Sequence, residues 1–522
     1  MNESGQASSP SRLRNARDKV KTIDELASLA ESERLRGCSV ALAHGAFDLL
    51  HMGHVRHLEH ARRLGEVLIV TITADKFINK GPGRPVFPQA LRAEMLAALE
   101  YVDWVGVNMD PTAEPVINAI KPDVYIKGSD YADASEDVTG KIVDEREAVE
   151  AHGGRIAFTD DIVFSSSELI NRHLNVFDPT VRDYLDGVRK GVGLDGILKL
   201  IESISELKVL LVGETIIDEY QYVLPYGQAS KEPIIATQYI DREVFAGGVI
   251  AAANHVAGFC GEVEVMTVLG SVNSDEELVR ESLLPGVKLS PIYRDGAPTI
   301  RKTRFVENQY MRKLFEVQHI EDTPLPDESR DQLNQAVSDR AGDYDLVIFT
   351  DFGHGMIGRS TIDLATEKSK FLAVNTQSNS ANRGYNLITK YDKADYICID
   401  LPEARLAASS KFGDLREIAS RTLPRAIDCD KIILTQGKYG CMTYERGVGT
   451  QEVPAITDTV VDTMGAGDAF FVVTAPLVAA GAAMEHVGLI GNVVGAVKVG
   501  ILGHRSSVDK VTVIKALTGL LK

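Results

Sequence analysis

Two short strings in this 522-residue chain carry side chains suited to phosphate chemistry. The first is Gly45-Ala46-Phe47-Asp48-Leu49-Leu50-His51-Met52-Gly53-His54, which follows an apolar run at 39–44 and precedes a helical pattern. A helix start offers free backbone N–H groups and the positive end of the macrodipole, both of which favour phosphate. Gly45 and Gly53 let the backbone approach a ligand closely. His51 and His54 are three residues apart, so they share one face of a helical turn. Two imidazoles there can donate to phosphoryl oxygens and neutralise charge developing at an α-phosphate. Alone, such a pair reads more readily as surface residues or an incidental metal pair. The second string, Asp462-Thr463-Met464-Gly465-Ala466-Gly467-Asp468, precedes an apolar stretch at 469–480. Gly465, Ala466 and Gly467 would cradle a phosphoryl group in backbone amides. Asp468 would take the proton of an attacking hydroxyl, the in-line transfer itself needing mainly electrostatic stabilisation. The competing reading is a glycine-rich turn that opens a buried helix, with Asp468 as its cap.

The elements that must position these strings alternate between strand and helix. Apolar runs at 39–44, 67–72, 123–127 and 155–159 read as buried strands, with helical patterns at 56–64, 89–99 and 141–152 between them. Runs at 208–213, 345–350, 371–375, 396–399 and 431–435 repeat the theme. Such alternation predicts parallel sheets covered on both faces, an α/β fold. The length is too great for one ordinary core. We therefore expect a flexible tail at 1–20, one domain at 21–177, a helical linker at 178–206 and a second domain at 207–522.

Composition narrows the partners. The formal net charge of -18 repels nucleic acid and anionic membranes, leaving small phosphorylated substrates handled by local cations. Five scattered cysteines without a paired spacing argue against disulfides or a zinc site and fit a reducing compartment. The polar start lacks a signal-peptide core. The apolar run at 469–484 is shorter than the roughly 20 residues of a membrane span and contains Pro476. A cytoplasmic location is expected.

The first string resembles the GxFDxxHxGH signature of the cytidylyltransferase-like nucleotidyltransferases, and further segments resemble that family in order. Lys80 lies in a loop where the family places a lysine on the triphosphate. Arg92 begins a stretch similar to RxxxLxALxxVD, and Lys127-Gly128-Ser129-Asp130-Tyr131 is similar to KGxDY. Ser165, Ser166 and Ser167 resemble a helix start whose hydroxyls hold nucleotide phosphates. The resemblance implies a Rossmann-like domain in which His51, His54 and Lys80 are catalytic. Gly45, Phe47, Asp48, Gly53, Arg92, Lys127 and the three serines would bind ATP or CTP with Mg²⁺.

The second string resembles the DTxGAGD signature of the ribokinase-like (PfkB) carbohydrate kinases. This implies a ribokinase-like α/β domain using ATP and Mg²⁺, with Asp468 as base and Gly465, Ala466 and Gly467 as anion hole. Thr435, Gly437, Gly440 and Asn492 would line the nucleotide. Asp218, Gly247, Gly248, Asn254, Arg304 and Arg312 would bind the sugar. Glu403 would act on the metal indirectly; beside it Asp400 replaces the family's usual asparagine, and Asn375-Thr376-Gln377 is a second departure.

Residues 299–305 with Gln309 and Arg312 resemble the kinase half of the bifunctional heptose-phosphate kinase/adenylyltransferases, here with the two domains in reversed order. That resemblance implies phosphorylation of a heptose 7-phosphate at C1, then nucleotidyl transfer to the 1-phosphate. The alternatives are the same fusion acting on another sugar or polyol phosphate, or an active transferase carrying a catalytically weak binding or dimerisation domain. A homodimer through the kinase domain follows only by analogy.

Overall fold

Val20–Lys21 (β1), Val40–Gly45 (β2), Val67–Thr73 (β3), Trp104–Asn108 (β4), Val124–Gly128 (β5) and Arg155–Thr159 (β6) form one parallel sheet in the order β1-β4-β3-β2-β5-β6. The computed structural model describes residues 15–78, 85–128, 141–159, 178–309, 311–456 and 460–522. Its contacts divide the chain into two units, mainly residues up to 176 and mainly residues from 177 onward.

Alternation along β2 explains why both faces of the first sheet are covered. Ala41 and Ala43 pack with Leu58, Ala61 and Leu96 on one side. Val40 and Leu42 pack with Leu26, Ala30 and Ile117 on the other. From β2 the chain moves outward through β3 and β4, then returns to add β5 on the other flank. The strand order therefore reverses between β2 and β5, and ligands of open α/β sheets bind at the strand ends beside such a switch. The string 45–54 leaves β2 at that point, and Lys127 lies in the last turn of β5.

Three features of this unit were not expected. The helix after β2 is Met52–Arg63, starting four residues earlier than its apolar pattern, because the side chain of His51 caps it. A helix at Ile23–Leu35 is opened by a reciprocal Thr22–Glu25 capping box. Regular structure also begins inside the expected tail, at Ala16, where Lys19 donates to the carbonyls of Leu99 (3.1 Å) and Val102 (2.7 Å).

The second unit holds two sheets. Lys208–Gly213 (β7), Glu262–Val272 (β10), Lys288–Pro298 (β11), Leu346–Asp351 (β14), Leu372–Thr376 (β15), Tyr396–Asp400 (β16), Lys431–Thr435 (β17), Cys441–Glu445 (β18) and Gly449–Val453 (β19) form a nine-stranded sheet. Its order is β11-β10-β7-β14-β15-β16-β17-β18-β19, parallel except for the last two pairings. The long strands Thr215–Gln228 (β8) and Ile235–Gly248 (β9) join Ile300–Glu307 (β12) and Arg312–His319 (β13) in a four-stranded sheet ordered β13-β12-β8-β9. The helix Ala466–Ala479, with every residue from Ala469 to Val478 buried, carries the second string at its start. Pro476 lies inside its last turn without ending it. The helices Pro179–Lys190 and Gly193–Glu202, where a linker was expected, belong to this second unit.

Candidate active sites

In the first unit the loop after β2 makes a tight turn. Phe47 adopts a left-handed backbone (φ 45°) with its ring buried. His51 Nδ1 accepts the Gly53 N–H at 3.1 Å, which caps the helix. The His51 and His54 rings lie 4.0 Å apart between centroids, and Phe47 packs 5.2 Å from His54. The expected imidazole pair therefore exists as a ring pair at a helix start, beside the switch point. Partial burial lowers the pKa of His51. Two further imidazoles, not singled out from sequence, lie nearby: His44 Nδ1 is 2.9 Å from Thr71 Oγ1, and His57 Nδ1 is 2.7 Å from Thr159 Oγ1. His57 continues the spacing of three from His54, a signal that was available.

Arg92 is engaged within the protein. Its side chain is fully buried and its guanidinium is spent on Phe87 O (3.0 Å), Ala46 O (2.5 Å), Thr73 O (2.9 Å) and Asp75 (2.5 Å). It holds the loop that presents Gly45 and Phe47. Asp48 is likewise buried, accepting the Val86 N–H at 2.6 Å. Lys127 forms a nearly buried ion pair with Glu145 (2.9 Å). Lys80, Ser165, Ser166 and Ser167 lie outside the described residues.

In the second unit the helix start Gly465–Asp468 meets the four-stranded sheet. Gly465 caps the helix in a left-handed conformation (φ 68°), and Ala466 and Gly467 begin its first turn. Asp468 sits in that turn; burial, assisted by Asp218, pushes its carboxyl up to about 6 against the opposing His504. A carboxylate so tuned is a competent proton acceptor near neutral pH. Asp218 on β8 behaves oppositely. Burial opposes its ionisation, but the hydrogen bond from His504 and the charge of Arg304 win, holding it down at about 2. His504 Nε2 is 3.3 Å from Asp218 Oδ2, and Arg304 pairs with the other oxygen and with Glu316 (2.7 Å). A Cβ on Gly247 would lie 2.2 Å from Asp218 Oδ2 and 3.0 Å from His504 Nε2, so only glycine leaves this cradle open.

His504 and Lys498 escaped sequence reasoning because they lie outside any motif, and Asp462, inside the second string, had no role assigned to it. His504 bridges Asp218 and the helix start. Lys498, fully buried, donates to Gly503 O at 2.7 Å and so fixes the turn that carries His504. Asp462 is the hub of the loop: it accepts from Tyr220 Oη (3.1 Å), Lys313 Nζ (2.8 Å), Met464 N (3.1 Å) and Gly503 N (3.0 Å).

Two asparagines are hydrogen-bonded within the protein. Asn254, expected at the sugar, uses both ends of its amide on the backbone of Ser282 (2.7 Å) and Leu284 (2.9 Å). Asn492, expected at the nucleotide, donates to Val453 O (3.1 Å) and Pro454 O (2.9 Å). Gly440 faces the same segment, where a Cβ would come within 2.1 Å of Val453 O. Thr435 ends β17 and Gly437 opens the turn to Gly440 with φ 57°. Gly248 turns into the following helix with φ 59°. Arg312 is exposed at the start of β13, opposite Glu307. Asp400 and Glu403 form a reciprocal capping box, and Glu403 also accepts the Ser378 N–H at 2.8 Å. Burial and the neighbouring Asp400 push Glu403 up to about 8.

One unit thus presents imidazoles at a helix start beside the switch point, and the other a carboxylate at a glycine-framed helix start. Comparison with known proteins agrees. Residues 42–172 match the cytidylyltransferase-like family, and residues 206–511 match the pfkB family carbohydrate kinases. The chain belongs to the pfkB carbohydrate kinase family and carries a cytidylyltransferase-like domain ahead of that kinase domain.

"Bifunctional protein HldE" of Syntrophotalea carbinolica is 38% identical over 163 residues, 31% of this chain and 32% of the relative. Its counterpart in Geobacter metallireducens is 36% identical over 168 residues, 32% of each chain. The likeness lies in the nucleotidyltransferase part, and the chain spans about a third of the length of these curated relatives. Among solved structures, phosphofructokinase-2 from Escherichia coli aligns over 60% of this chain and 100% of its own (13% identity, TM-score 0.49). A ribokinase from Thermotoga maritima aligns over 60% and 99% (17% identity, TM-score 0.46). Among the described residues, no helix is long and apolar enough to cross a membrane, and the five cysteines are free.

Proposed function

We propose that this protein activates a sugar in two steps. The kinase unit phosphorylates a heptose 7-phosphate at C1 with ATP, and the transferase unit moves a nucleotidyl group from ATP or CTP to the resulting 1-phosphate, releasing pyrophosphate. The observation that carries the reading is the meeting of Asp468, at an amide-lined helix start, with the ion-paired Asp218. In this mechanism Asp218 orients the sugar hydroxyls, Asp468 takes the proton of the acceptor, and the amides at 465–467 receive the phosphoryl charge. In the transferase unit the nucleophile is a phosphate oxygen already ionised. His51 and His54 therefore position and neutralise rather than deprotonate.

Mg²⁺ supplies charge neutralisation of the triphosphate. Among the described residues no cluster of three metal-ligating side chains exists. Asp400 and Glu403 fit a dication at the kinase site, because two close carboxylates, one held up at about 8, are relieved by positive charge. The heptose assignment draws on residues 299–305 and on the bifunctional relatives. Exposed Tyr226, Ile235 and Tyr239 on the four-stranded sheet support a homodimer. Free cysteines support a cytoplasmic location.

The test is a matrix of nucleotides against heptose, hexose and polyol phosphates, read by mass spectrometry. ADP formed with heptose 7-phosphate, and pyrophosphate formed with the 1-phosphate, is the expected result. No ADP with any acceptor would leave the second unit a binding module.

A further inference from the structure

Lys302 stands on β12 directly opposite Asp218 of β8 in register and opposite Gln318 of β13. Its side chain is buried, with 6% of the residue exposed. Its charge is felt by groups on several surrounding elements: Asp218, Glu316, Arg304 and Glu214, and also His354 and Asp468. Yet among the described residues it makes no ion pair and no hydrogen bond. The reason is geometric. The two oxygens of Asp218 are taken by Arg304 and His504, and Glu316 is taken by Arg304. The other cations of the site are committed as well, Lys498 to Gly503 O and Lys313 to Asp462.

A buried ammonium without a counter-ion costs several kcal/mol, and burial holds this one below the ordinary lysine range. A fold that tolerates such a cation in a cleft has its anion arrive from outside. Lys302 adjoins both carboxylates that handle the reacting hydroxyl, Asp218 beside it in register and Asp468 within its field. The incoming anion is therefore the group that reacts there.

Resting on the kinase reading above, we propose that Lys302 is a catalytic residue whose ammonium binds the oxygens of the phosphoryl group in transit. The acceptor oxygen forms the new P–O bond as its proton passes to Asp468. The bond between the γ-phosphorus and the β–γ bridging oxygen breaks, and ADP leaves with that electron pair. Lys302 stays protonated throughout and lowers the charge that accumulates on the three non-bridging oxygens.

The experiment uses the full-length protein carrying K302M, which keeps the volume and removes the charge, and K302R, which keeps the charge. Kinase kcat in K302M is expected to fall about 100- to 1,000-fold with the sugar KM unchanged, and K302R should recover part of it. Calorimetry with ADP, aluminium fluoride and the sugar should show the ternary complex lost in K302M, with binding of ADP and of sugar singly retained. That measurement separates a charge effect from misfolding. A K302M enzyme with undiminished kcat, or with its loss confined to sugar KM, overturns the inference while leaving the kinase reading intact. An unchanged protein that phosphorylates no sugar overturns the reading itself, and the role of Lys302 with it.

Discussion

The chain offers phosphate two helix starts, and they are furnished differently. At His51–His54 an imidazole pair lies at a helix start beside the switch point, while Arg92 is taken by three carbonyls and Asp75 and Asp48 accepts the Val86 N–H. At Gly465–Asp468 the charged groups cluster: Asp218 between Arg304 and His504, Asp468 within reach of their charges, and Lys302 opposite Asp218 in register with no ion pair among the described residues. The difference follows from the nucleophile each site would use. A sugar hydroxyl must lose a proton as it attacks, so a tuned carboxylate is needed. A sugar phosphate is already an anion at neutral pH, so its site needs donors and positioning but no base.

The strongest way to break this contrast is Asp468→Asn. Kinase turnover should fall by about 10³ to 10⁴, while pyrophosphate release from a sugar 1-phosphate stays at its original rate. Both reactions can be followed in one preparation by separate ADP and pyrophosphate assays. Equal loss in both would mean that the two units do not act independently. The reciprocal change, His54→Ala, should lower nucleotidyl transfer about 10²- to 10³-fold and leave ADP formation untouched. A transferase indifferent to this change would remove the imidazoles from the chemistry.

Arg92→Met sharpens the contrast by testing a residue that holds rather than reacts. It leaves three part-buried carbonyls short of a donor, at up to roughly 1–3 kcal/mol each where no water replaces it. The first unit should lose about 3 kcal/mol or more in denaturant unfolding, with the transition of the second unit unmoved. Stability retained together with a raised nucleotide KM would restore Arg92 to the ligand.

Much of the two larger sheets was legible in the sequence because parallel strands buried on two faces read as unbroken apolar runs, and 67–72 and 431–435 are plain cases; β1, β4, β10, β11, β18 and β19 were not read. The four-stranded sheet was not. Much of β9 and β13 is exposed, so Thr237, Asp241 and Arg242 break any apolar alternation. In the sites, the strings around His51 and Asp468 announced themselves through glycine and helix starts. What sequence could not separate was contact from scaffold. Arg92, Asn254 and Asn492 have the right types and positions for ligands, but their hydrogen-bonding capacity goes to carbonyls and amides far along the chain. His504 and Lys498 had no motif, since their roles come from the turn at 503 reaching back to β8 and the helix start.

The gentlest probe of the contrast is pH. Asp468 accepts a proton only when ionised, and burial with Asp218 holds its carboxyl at about 6. Kinase kcat/KM should therefore decline about tenfold per unit as pH falls below about 6 and level off above it. The His504 ring opposes that upward shift. In His504→Gln the opposing influence is gone, the carboxyl rises further, and the acid limb should move to higher pH. The sugar KM should rise as well, because Asp218 loses one of its two partners. Nucleotidyl transfer, measured on the same variant with a sugar 1-phosphate, has no Asp468 in its path and should keep its own profile. A kinase limb that stays where it was would mean that His504 does not tune the base, and its place would then be with the sugar alone.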